Sequence, residues 1–199
     1  MVTTASTWSL SRSGSASTSN QWGDRVDFPV PESFTRLVDQ IDGWLDLRCP
    51  ERALELVNPV VEAPEAKAMG LALRIRANAR LGNYAATLAD LRELRIEHPS
   101  SEWVNLTEAW CRRRHDDLPG AIRCIEQLLE RNHKHHIAHF NLACYLALSG
   151  EIDRSIDALS IACGLDPECR TFAIDEPDFD CLRNDERFRH LLRPRPSST

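Results

Sequence analysis

Lysine is nearly missing: only Lys67 and Lys134 contribute to the 24 basic residues, and the rest are arginine. Net charge is −6, without the basic surplus expected of a general nucleic-acid binder. Aromatics make up 7% of the chain and glycines number eight. No run of about 18 apolar residues occurs, so no membrane span is expected. The first residues lack an apolar core behind a basic start, so no secretory leader is expected either. No Cys-x-x-Cys pair exists. The seven cysteines (Cys49, Cys111, Cys124, Cys144, Cys163, Cys169 and Cys181) are odd in number and scattered. A secreted disulfide framework is even and denser, so they read as reduced thiols of a cytoplasmic protein.

What is present is enough for a core: 199 residues, 42% of them hydrophobic. Residues 1–20 hold eleven Ser or Thr and no acid, and Pro29-Val30-Pro31 punctuates the segment after them. Residues 1–33 therefore predict a disordered tail, since they bury too little apolar area to offset chain entropy. Residues 193–199 read as a second short, flexible tail.

The chain between the tails repeats. A shift of 34 residues superposes Leu54, Leu88, Ile122 and Ile156. The same shift aligns Val57, Leu91, Ile125 and Leu159, then Val60, Leu94, Leu128 and Ala162. Small residues form another column (Ala53, Thr87, Ala121, Ser155), and Ile41, Ile75, Ala109 and Ala143 a fifth. Gly82 and Gly150 share one phase, as do Pro99 and Pro167. Within each copy the apolar spacing is three and four, the period of a helix face. Two such stretches, separated by a short break with Gly at the position that ends a helix, make a helix hairpin. A lone hairpin cannot bury its apolar face, whereas stacked neighbours do. Pro59 falls inside the first copy's second helix, where a kink or an end is expected.

A 34-residue helix pair with these columns resembles the tetratricopeptide repeat family. The match is best at Asn141, Leu142, Ala143, Gly150, Ser155, Leu159, Ala162 and Pro167. It covers some two-thirds of the chain. The resemblance implies an all-α, right-handed solenoid of about four hairpins at 34–67, 68–101, 102–135 and 136–169. Residues 170–192 look like the segment that closes bacterial arrays of this kind, with Phe179, Leu182, Phe188, Leu191 and Leu192 covering the last hairpin.

The resemblance also implies a concave groove lined by the first helix of each pair. Strict phasing puts Met69, Trp103, Leu106, Trp110, Ile137, Phe140 and Cys144 there, flanked by Arg76, Arg80, Arg113 and Arg114 as surface groups. Such a trough suits a peptide or helix with apolar and acidic side chains, because aromatic and Arg residues are the usual interface anchors. The spacing of Trp103, Leu106 and Trp110 equally fits the inner face of the hairpin. A two-residue slip in the third copy, with a longer turn at Arg114–Leu118, makes both tryptophans core, and the two readings stand side by side. The family's clamp for chaperone C-terminal carboxylates uses Lys, Asn and Arg. The equivalent places hold Val38, Asp42, Leu73, Trp103 and Thr107, so capture of chaperone tails is not expected.

His135, His136 and His139 are the one cluster with metal-ligand character, but no second site with fitting spacing accompanies them. No phosphate-cradling loop or nucleophile motif occurs. The expectation is a cytoplasmic, non-enzymatic protein-binding scaffold without a cofactor, bound to no nucleic acid and without a membrane span. Its alternatives are a small chaperone or assembly factor, and a metal-binding or thiol redox-sensing helical module.

Overall fold

The computed structural model describes residues 28–193, which form two compact units divided after His115. Among them there is no strand. The first unit contains α1 (Glu32–Asp46), α2 (Pro50–Glu62), α3 (Lys67–Arg80), α4 (Tyr84–Glu97) and α5 (Glu102–Arg114). The second contains α6 (Leu118–Arg131), α7 (His136–Leu148), α8 (Ile152–Leu165), α9 (Cys169–Asp175), a 3-10 turn (Pro177–Leu182) and α10 (Glu186–Leu191). Within each unit successive helices pack on one another across turns of three or four residues.

The even-numbered helices start at 50, 84, 118, 152 and 186, one 34-residue step apart. Local chemistry sets these starts. Pro50 opens α2 at a first-turn position, where its missing N–H would have no partner anyway. Asp117 caps α6 by accepting the Gly120 N–H at 2.9 Å, and Ser101 caps α5 through Val104 N–H at 3.3 Å. The residue two places before each of the first four starts has positive φ: Arg48 (58°), Gly82 (75°), Asp116 (59°) and Gly150 (80°). At Arg48, Gly82 and Gly150 the next N–H reaches back five residues, as in Cys49 to the Trp44 carbonyl at 2.9 Å. That closure satisfies carbonyls the helix end leaves open.

The repeat columns are the core. Four of the five aligned columns, led by Ile41, Ala53, Val57 and Val60, are no more than 2% exposed at every position. Only the column of Leu54, Leu88, Ile122 and Ile156 lies nearer the surface. Small residues in two of those columns let paired helices cross closely. Ser155 Oγ donates to the Ala143 carbonyl at 2.7 Å, joining one small column to another. Gly70 serves the same end between α2 and α3: a Cβ there would stand 2.6 Å from the Val61 nitrogen. Charge pairs tie neighbouring helices, with Arg74 to Asp90 and Lys67 to Glu93 between α3 and α4, and Arg95 to Glu108 between α4 and α5.

Two expectations need correction. The N-terminal tail ends earlier than residue 33: residues 1–27 lie outside the described residues, but Phe28 is buried with its ring 4.6 Å from that of His98, and α1 begins at Glu32. Pro59 does not end α2 at that point: it faces outward, and Val57 and Val60 on either side are buried in the core. The helix stops three residues later.

In the second unit the closing segment builds its own small aromatic core. Phe179 stands edge-on to Phe140 of α7 at 5.7 Å and against Phe188 at 5.6 Å. Phe179, Leu182 and Phe188 are buried, while Leu191 and Leu192 are half-buried. Arg183 seals the end of α9 by donating to the Ala173 carbonyl at 3.1 Å and the Glu176 carbonyl at 2.8 Å. The closing segment consists of α9, the 3-10 turn and α10. Residues 194–199 lie outside the described residues.

Candidate functional site

The residues singled out by phasing sit on odd-numbered helices. On α3, Met69 is buried and Arg80 exposed; on α5, Leu106 is buried while Trp103, Trp110, Arg113 and Arg114 are half-buried. In the second unit Ile137 is half-buried and Phe140 and Cys144 are buried on α7. The third copy has no slip. Its turn runs from Arg114 to Leu118, the same four-residue step as Asp46 to Pro50, Arg80 to Tyr84 and Leu148 to Ile152.

Both tryptophans are half-buried. Each packs partly on the first unit's core. Trp110 meets Tyr84 of α4 edge-on at 5.8 Å, and the Arg114 guanidinium lies over its ring at 5.3 Å. A cation on an indole face is favourable while the ring keeps some access to solvent.

Arg76 departs from its expected role as a surface group. It is only 4% exposed. Its Nη1 donates to Asp42 of α1, a residue one period away. Its Nε and Nη2 are buried and meet no hydrogen-bond acceptor. Helix periodicity alone does not reveal this pair, but the 34-residue register does: residues 34 apart are neighbours on successive first helices, and opposite charges stand at 42 and 76. Arg74, two residues earlier, points instead to α4 and grips Asp90 with both Nε (2.8 Å) and Nη2 (2.7 Å). On α5, Glu108 is buried between Arg95 and Arg112, whose Nε lies 2.8 Å from its carboxylate.

The histidines are spent on local structure. His135 Nδ1 caps α7 by accepting the Ala138 N–H at 3.3 Å. His136 Nε2 lies 3.5 Å from Asp166, and His139 Nε2–H donates to the His133 carbonyl at 2.9 Å. Among the described residues no three His, Cys, Asp or Glu come together as a metal site. Burial pushes the thiols of Cys111 and Cys169 up to about 12, helped by the nearby charges of Glu108 and Asp166 respectively. Such groups stay protonated at neutral pH and make poor nucleophiles.

Comparison with solved structures places the architecture. A MamA double mutant (MamA RS-1 ArsTM) superposes with a TM-score of 0.67 at 16% identity, over 81% of this chain and 94% of that one. The crystal structure of MamA gives 0.62 at 13% identity, over 76% and 90%. YrrB, a tetratricopeptide-repeat protein with an unusual peptide-binding site, gives 0.57 at 14% identity, over 79% and 81%. The fold is that of a tetratricopeptide-repeat protein. No family model matches the sequence, and no curated protein matches it. The resemblance therefore lies in backbone architecture. No described helix is long and apolar enough to cross a membrane.

Proposed function

We propose that this chain is a non-enzymatic, cytoplasmic scaffold of four tetratricopeptide repeats, at 34–67, 68–101, 102–135 and 136–169, closed by residues 170–192, and that it binds a segment of a partner protein on the first helices of the first unit. The observation that carries the reading is the α5 face of the first unit. Trp103 and Trp110 stay half-exposed there beside Arg113 and Arg114, although the core beneath is already filled. Indole and guanidinium groups are the side chains that most often anchor protein interfaces. A peptide or helix with apolar anchors and acidic flanks matches this surface, the indoles supplying affinity and the arginines charge selectivity.

A chaperone-like variant of the same reading, in which the face shields a partner's amphipathic helix, uses the same residues. A thiol redox function draws no support from Cys111 and Cys169, whose environment holds them protonated. The test is affinity capture from lysate of the source cells with wild type and with Trp103→Ala/Arg80→Glu, the fold of the variant being checked by circular dichroism. A protein retained by wild type and lost by the variant identifies the partner and this face. Equal retention by both moves the binding surface elsewhere.

A further inference from the structure

We infer that Arg76 receives one aspartate or glutamate carboxylate of the partner segment, taken side-on by its Nε–H and Nη2–H. The inference rests on the scaffold reading above and names the chemistry its site selects.

The first argument is hydrogen-bond accounting. A buried guanidinium normally has its donors satisfied, and exceptions concentrate at functional positions. Arg76 is 4% exposed, yet only Nη1 finds a protein acceptor. The second argument is geometric. Nε–H and Nη2–H lie on one edge of the guanidinium and point in parallel, a spacing that matches the two oxygens of a carboxylate. The same helix shows the arrangement completed: Arg74 holds Asp90 through Nε and Nη2 at 2.8 and 2.7 Å. Arg76 has the identical edge without a carboxylate on it.

Asp42 makes the edge selective. By binding Nη1 it fixes the guanidinium plane, so little side-chain freedom remains to be lost when a ligand arrives. It also cancels most of the long-range attraction, so a ligand must make the paired hydrogen bonds rather than merely carry negative charge. The register supplies the rest of the contact. Trp110 stands one period after Arg76 on α5. One turn before it, Thr107 carries a buried hydroxyl without a hydrogen-bond partner. An acidic residue flanked by apolar ones therefore finds acceptor-seeking donors and indole surface on the same face. The edge is covered by side chains, so entry requires them to shift, and association is slower than simple docking.

The experiment selects ligands for the full-length chain from a phage-displayed library of random decapeptides. The peptides are then placed on the isotope-labelled protein by amide chemical-shift mapping. We expect shifts on α1, α3 and α5 and a shared Asp or Glu at one peptide position. Replacing that acid by Asn or Gln weakens binding tenfold or more, and so does Arg76→Lys, which keeps the charge but lacks the parallel edge. The two losses are not additive, because each removes the same contact. Asp42→Asn, which leaves Arg76 in place, tightens the acidic peptide severalfold; this variant carries the test if Arg76→Lys does not fold.

Peptides that map to this face but share no acid, or that bind Arg76→Lys within twofold of wild type, overturn the carboxylate and leave the scaffold reading intact. Peptides that map elsewhere, or a library that yields none, overturn both.

Discussion

Four residues one period apart share a left-handed backbone, and only two are glycine, which makes an internal experiment. In an L-residue that conformation costs about 1–2 kcal/mol because Cβ crowds the following carbonyl. Gly82 and Gly150 avoid the cost, and a Cβ built on either meets nothing within 4 Å. Alanine at these places therefore brings backbone strain without a clash. Glycine's greater freedom in the unfolded chain offsets roughly 0.5–1 kcal/mol of the difference. The expected net loss for Gly82→Ala or Gly150→Ala is about 0.5–1 kcal/mol each, or about 1–4 °C in Tm for a chain of this size. Arg48→Gly reverses the sign, gaining a similar amount because Arg has no special tolerance for φ of 58°. Asp116→Gly gains less, since Asp visits this region more readily than most residues. Thermal and urea unfolding of the five proteins, followed by circular dichroism, reads all four effects against wild type. A loss of stability in Arg48→Gly, or no change in Gly150→Ala, would refute the argument from turn conformation.

Gly70→Ala puts a methyl group 2.6–2.8 Å from the backbone of Val60 and Val61, which forces α2 and α3 apart; we expect a loss toward the upper end of the 1–3 kcal/mol typical of overpacking, read by urea denaturation. In native protein at pH 8, Cys181, which is exposed, reacts with Ellman's reagent, whereas Cys111 and Cys169 react only after unfolding; equal labelling of Cys111 and Cys181 would contradict their burial. Asp185 caps α10 and pairs with Arg187, whose hydrogen bonds hold its carboxyl down at about 2. Its folded-state pKa lies below the unfolded value of about 3.9, so its contribution is complete above that value and fades as pH falls toward about 2. Asp185→Asn should flatten the pH dependence of stability across that window, and an unchanged slope counts against the pairing.

The repeat columns made the helices and their order legible, because burial at a helix crossing demands a small or bulky residue of fixed kind. Ile41, Ala53, Val57 and Val60 and their counterparts repeat the demand in each copy. Gly82 and Gly150 advertised their turns, but Arg48 and Asp116 adopt the same backbone with no compositional mark. Pro59 does not end its helix, because packing on both sides outweighs the missing N–H. Arg76 was legible as a charge and not as a buried one. Its depth follows from its neighbour on α1, information that single-helix periodicity does not hold and the 34-residue register does. For Trp103 and Trp110, spacing alone supported two environments, and the structure shows each ring half-buried against the first unit's core.

The equivalent joints at 48, 82, 116 and 150 have a genetic consequence. Recombination that copies or deletes a block of one period between any two of them rejoins the chain at matching backbone conformations, so array length can change without inventing a new turn. The six-residue α10 begins in step with the series and then stops. A gene growing this way lengthens from within.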